Sequence, residues 1–177
     1  MTEQTETAAR LWTPEGFAED AWRRVDELPA DAGEGRYILP LPAFLAVGDN
    51  RRAELAGRLG VEVAPGEALD DIVPHLGTVG LVALAFPAFS DGRSFSKAEL
   101  LRTRHGYGGP LRAVGDVLID QVAHMLRTGF SELAVSNPTT LKRLEEGRPG
   151  GIALHYQPTA KDASKAGNYA WRRRATG

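Results

Sequence analysis

The sequence predicts an α/β protein, a single domain built on a mostly parallel sheet of five or six strands flanked by helices. Short apolar runs alternate with amphipathic stretches along most of the chain, which is the pattern of strand–helix–strand units. The run Thr78 to Phe86 is apolar at nearly every position, as expected for a strand covered on both faces in a parallel sheet. The segments between apolar runs are long enough to cross over, and such crossings are right-handed. Periodicity leaves undecided whether the sheet stays open or curls into part of a barrel.

Each element has its own signal. Near the start, Thr13-Pro14 can cap a helix, with Pro14 at its first position and Trp12 stapled against Phe17, although an extended reading of Phe17 to Trp22 is nearly as good. Residues 28–36 are rich in Pro, Gly, Asp and Glu and read as a loop. Tyr37 to Leu41 is a short strand, Asn50 to Leu59 a helix, and Val61 to Ala64 a second strand. After the central strand and a polar turn, Ser96 and Glu99 form a capping box that opens a helix, which Gly106 to Pro110 stops. Leu111 to Val114 is a strand, and Val117, Leu118, Val122, Met125 and Leu126 share one helical stripe ended by Gly129. A strand at Glu132 to Ser136, a helix opened by Asn137-Pro138 and stopped at Gly147, and a last strand at Gly151 to Tyr156 complete the series.

Composition fits one soluble domain: 177 residues, 42% hydrophobic and 25% charged. The chain has no cysteine, which excludes disulfides, thiol nucleophiles and thiolate metal sites formed by its own residues. Its longest apolar stretch is far short of the ~18 residues a membrane span needs, and the acidic start is unlike a signal peptide, so a cytoplasmic location is expected. The net charge of −2 hides an asymmetry: residues 1–34 carry nine acids and three bases, and residues 157–177 carry five bases and one acid. The expected organisation is therefore an acidic extension at 1–34, an α/β domain at 35–156 and a basic tail at 157–177. That tail could grip nucleic acid or remain solvated, while Tyr169 and Trp171 favour packing on its own body or on a second copy. The neutral body makes nucleic acid the weakest of these partners.

Ligands of parallel sheets bind beyond the carboxyl ends of the strands, where loops converge and helix amino termini point inward. That rule selects Asp91, Gly92, Arg93 and Ser94, then Gly115, Asp116 and Asp120, then Ser136 and Asn137, then Tyr156 and Gln157. Arg93 beside free amides and the hydroxyls of Ser94 and Ser96 suits an oxyanion, unless Asp91 and Arg93 simply pair to fix the loop. Arg112 lies inside a strand and needs solvent or an acid, with Asp116 or Asp120 the natural candidates. Asp116 at a helix start is a cap or a general base. The four histidines lack metal-ligand spacing, and Asp120 and His124 read as a surface pair. Phosphate-loop, zinc-protease and nucleophile-elbow motifs are absent, and no cofactor is identifiable.

The blocks Phe86-Pro-Ala-Phe-Ser-Asp-Gly-Arg-Ser-Phe-Ser96, Leu100-Leu-Arg102 and Leu111-Arg-Ala-Val-Gly-Asp-Val-Leu118, with Asp120-Gln121 and Gly129-Phe130, resemble a bacterial family, domain of unknown function nine-three-four. The resemblance spans roughly residues 35–156. It implies a setting beside assimilatory sulfite reductase and a family label of oxidoreductase. Carried over by position, it singles out Asp91, Gly92, Arg93, Arg102, Arg112, Gly115, Asp116, Asp120 and Gln121, with no catalytic role attached to any. Many relatives place a cysteine where this chain has Thr128. Two expectations follow. One is an accessory protein of sulfite reduction, partnered by the reductase and able to self-associate. The other is a small enzyme in which Arg93 and Arg112 hold a sulfur oxyanion or other anionic metabolite, Asp116 moves a proton, and a cofactor is bound from outside.

Overall fold

The computed structural model describes residues 8–88 and 91–150. Eight strands form one sheet: β1 (Arg10–Thr13), β2 (Gly16–Ala18), β3 (Trp22–Arg24), β4 (Arg36–Pro40), β5 (Leu59–Val63), β6 (Leu81–Phe86), β7 (Leu111–Gly115) and β8 (Glu132–Val135). Their order is β2-β1-β8-β7-β6-β5-β4-β3. The run from β3 to β8 is parallel throughout, whereas β1 pairs antiparallel with both β8 and β2. The expected α/β sheet is present with more strands than the sequence suggested, because residues 10–24 of the supposed extension supply three of them. The last expected strand and the basic tail lie outside the described residues.

The expected helix at Thr13-Pro14 is instead a β-hairpin. Trp12 and Phe17 do face each other, but as a cross-strand pair. Pro14 occupies the turn, where its fixed φ is as useful as at a helix start. The Thr13 hydroxyl donates to the Gly16 carbonyl and accepts from the Glu15 amide, satisfying the turn locally.

Among the described residues five α-helices connect or follow the strands, α1 (Leu41–Ala46), α2 (Asp49–Glu54), α3 (Arg93–Thr103), α4 (Ile119–Thr128) and α5 (Pro138–Glu145), and a 3-10 turn lies at Val73–His75. The helix expected to reach Leu59 ends at Glu54, and Leu59 opens β5. The capping box at Ser96 does not form. α3 begins three residues earlier, behind Gly92, where the Asp91 carboxylate accepts the Arg93 amide and so satisfies one donor of the first turn. Asn137 caps α5 as expected, accepting from the Thr140 amide at 3.0 Å. Gly129, at φ +108°, terminates α4 as the left-handed residue.

Alternation along the strands sorts the side chains onto two faces. One carries Tyr37, Val61, Leu84, Ala113 and Leu133 and packs against Phe44 of α1, Leu101 of α3, Met125 of α4 and Leu144 of α5. The other carries Ile38, Leu81 and Ala83 with Trp22 and Val114, and no helix residue belongs to that cluster. A flat eight-stranded sheet would hold its edges about 34 Å apart, at seven spacings of ~4.8 Å. Yet edge strands β2 and β3 are joined by Glu19, Asp20 and Ala21 alone, so Ala18 and Trp22 lie within about 14 Å. The sheet must therefore curl, and it curls around the helix-free face into a half-barrel.

Candidate functional site

The inside of this half-barrel holds a cleft of about 510 Å³ that runs from Trp22 and Arg112, in the amino-terminal halves of β3 and β7, to Gly115 and Ser136 at the carboxyl ends of β7 and β8. Its apolar wall is Trp22, Ile38, Val114 and Ala134, and its polar groups are Asp20, Arg24, Glu62, Arg112 and Ser136. The volume suits a small molecule, and the carboxyl ends it reaches are where parallel sheets favour ligands. Small residues make the room. A side chain at Gly60 would come within 3.3 Å of the Trp22 indole, and one at Gly80 within 2.8 Å, so these two glycines let the ring lie across the strands.

Arg112 is the most buried charged group of the cleft, with a side chain only 3% exposed. Its Nε donates to Glu132 at 2.8 Å, while Nη1 and Nη2 donate to the two carboxylate oxygens of Asp20 at 2.8 and 2.9 Å. Neither acid is the Asp116 or Asp120 expected from sequence. Glu132 is the register partner of Arg112 on the same face of the next strand. Asp20 arrives from the three-residue strap between the sheet edges, 92 positions away. Across the cleft, Arg24 donates to Glu62 at 2.9 Å and to Asp26 at 2.8 Å. The bond to Glu62 is the main reason the Arg24 guanidinium holds its proton more tightly than usual. Each arginine is thus bracketed by two carboxylates.

Of the residues singled out from sequence, Arg112, Gly115 and Ser136 line this cleft, while Asp91, Arg93, Ser94, Ser96, Asp116 and Asp120 do not. Arg93 projects into solvent, 63% exposed, and grips Asp91 at 2.9 and 2.7 Å. That grip holds the Asp91 carboxyl below the usual range. The Ser94 hydroxyl is buried and donates to the Ala85 carbonyl at 2.6 Å, tying α3 to the end of β6. Ser96 is exposed on α3, and Asp120 is exposed in the first turn of α4. The Asp116 amide donates to the Phe86 carbonyl at 2.7 Å, closing the bend that Gly115 makes at φ +93°. Gln121 donates its amide to the Leu118 carbonyl. His124 pairs with Arg127 at 3.2 Å and packs at a tilt against Phe95, ring centroids 4.4 Å apart, rather than meeting Asp120, and burial, then Arg127, lowers its pKa. The Thr128 hydroxyl donates to the carbonyls of His124 and Met125.

Arg102 has a different role, with Nε and Nη2 on the Gly129 carbonyl at 3.0 and 2.8 Å and Nη1 on the carbonyls of Tyr107 and Gly109. It ties the loop before β7 to the loop before β8. Burial raises the Tyr107 hydroxyl to about 12 at the same junction.

Sequence reasoning missed Asp20, Trp22, Arg24 and Glu62. The available signal was the charge of Arg112 inside a strand, which needs a carboxylate from somewhere in the chain once it is buried. Among the described residues, no group of three or more His, Asp or Glu side chains could hold a metal ion, and no helix is long and apolar enough to cross a membrane.

No curated protein and no solved structure gives a significant match to this chain. A family model described as "bacterial protein of unknown function (DUF934)" matches residues 60–166, which takes in all of β5 but its first residue, the elements from there through α5, and every block quoted above. The chain belongs to this bacterial family, DUF934.

Proposed function

We propose that this chain is an accessory protein of assimilatory sulfite reduction that works by binding in the cytoplasm, as a single copy or a homo-oligomer, beside the reductase. The sulfur setting comes from the family resemblance. What supports binding over catalysis is that the charged groups of the cleft are spent on one another: Arg112 on Asp20 and Glu132, Arg24 on Glu62 and Asp26. A general acid or base must reach the substrate's proton, and here the carboxylate oxygens are already taken by guanidinium N–H donors. The test is co-purification of the tagged full chain with sulfite reductase from a sulfate-grown bacterium that encodes both. The expected result is recovery of the reductase and slower growth of a deletion strain on sulfate, cured by sulfide. Failure to recover the reductase, with unchanged reductase activity in the deletion strain, would overturn the proposal.

A second reading, an enzyme for a sulfur oxyanion or another anionic metabolite, is favoured by one observation: a buried arginine in the wall of a cleft that opens toward the strand carboxyl ends. Sulfite, sulfate and adenylyl sulfates should then raise the melting temperature of the wild-type chain. A melt unmoved by all of them removes this reading.

A further inference from the structure

We propose that Arg112 anchors an organic-acid site whose resting occupant is the chain's own Asp20. The inference rests on the second reading only in placing an anion in the cleft, and it needs neither catalysis nor sulfur.

Four observations converge. The Arg112 side chain is 97% buried, and its guanidinium presents a two-nitrogen edge to a carboxylate in the parallel geometry with which arginine recognises organic acids. The carboxylate on that edge belongs to a strap of three residues, Glu19 to Ala21, that is in no strand and that spans the gap between the two sheet edges. Asp20 is 36% exposed, so its carboxylate can leave for water at low cost, whereas Glu132, on β8 and 18% exposed, stays. Beside the Asp20 carboxylate the cleft continues as apolar wall, formed by Trp22, Val114 and Ala134.

Charge selects the exchange. With Asp20 and Glu132 both on Arg112, a third anion would be repelled, so an acid enters only as Asp20 departs. Swapping one carboxylate for another leaves the local charge unchanged and never strands the buried guanidinium, which would cost several kcal/mol if left unpaired. The apolar wall then distinguishes ligands. An inorganic oxyanion gains nothing from it, while a carboxylate or sulfonate carrying an apolar body buries that body against Trp22 and Val114. The ligand class is therefore a monoanionic organic acid with a hydrophobic portion, and ligand entry is coupled to release of the strap.

The test uses the full chain, with formate as the bare carboxylate, benzoate as a carboxylate with an apolar body, and benzyl alcohol as that body without charge. An internal competitor that is closed all but about one time in ten to one in a hundred weakens binding by that factor, so Asp20→Ala should bind benzoate about ten- to a hundredfold more tightly than wild type. Formate should raise the melting temperature of Asp20→Ala and leave that of wild type unmoved. Benzyl alcohol should bind neither. Adding Ala134→Leu, which fills the apolar end, should remove benzoate binding and keep the formate effect. If Asp20→Ala does not fold, Asp20→Asn carries the same test, because it removes the charge and keeps the shape. Equal benzoate affinity in wild type and variant, or no response of the variant to formate, overturns the proposal. Failure of both variants to fold also overturns it, since a latch that must open cannot be one the fold requires. If the variant gains benzoate while wild type ignores every sulfur oxyanion, the latch stands and the sulfur-oxyanion enzyme falls.

Discussion

Gly115→Ala should destabilise the protein by about 3 kcal/mol. The position has φ +93°, where an L side chain costs about 1–2 kcal/mol. A Cβ there would also stand 2.5 Å from the Phe86 carbonyl oxygen, which belongs to the paired neighbouring strand and cannot swing aside. Relieving that contact moves the end of β6 away and weakens the 2.7 Å bond from the Asp116 amide to the same oxygen, at a further 0.5–1.5 kcal/mol or about that. At roughly 2–4 °C per kcal/mol for a chain of this size, the melting temperature should fall by about 6–12 °C. The assay is urea and thermal unfolding followed by far-ultraviolet circular dichroism. Gly92→Ala provides the control, because its φ is −82° and an added methyl meets nothing within 4 Å, so it should stay within about 0.5 kcal/mol of wild type. If Gly115→Ala matches that control, the bend is not held by the glycine and the reasoning fails.

Arg102→Met should cost about 2–4 kcal/mol, because it leaves the carbonyls of Gly129, Tyr107 and Gly109 without their charged donor, and a urea midpoint within error of wild type would reject that role. His124 has its pKa lowered from 6.5 by burial and by Arg127, with Glu99 opposing, so the unfolded chain binds its proton more readily than the folded one. Its contribution is fully present above pH ~6.5 and is lost as pH falls below that value. His124→Gln should therefore lose less stability than wild type between about pH 7.5 and 5.5, and parallel urea midpoints over that range would contradict this sign.

The parallel core could be read from residue order because its signals are local. Thr78 to Phe86 is too uniformly apolar for a strand with a wet face, and its part from Leu81 to Phe86 is β6, paired on both sides. Asn137-Pro138 and Gly129 act within one helical turn of themselves, and both perform as their chemistry dictates. Signals with two local solutions went the other way. Thr13-Pro14 suits a helix start and a hairpin turn equally, and pairing of β1 with β8, more than 120 residues away, decides between them. Ser96 and Glu99 could cap each other, but the chain is already helical from Arg93, whose amide Asp91 accepts. The cleft was least accessible of all. Strand alternation shows that Arg112 shares a face with Leu81 and Ala83 once register is known, yet nothing local to residue 20 announces that its carboxylate crosses the sheet to meet it.

A double-mutant cycle between Asp20 and Arg112, with Asp20→Asn, Arg112→Met and the pair measured by urea unfolding, probes the curled sheet most directly. With the strap lying over the concave face, the two residues are in contact, and their coupling energy should be about 1.5–3 kcal/mol. Additivity within about 0.5 kcal/mol would mean that the strap does not reach Arg112, and the half-barrel with its cleft would have to be abandoned.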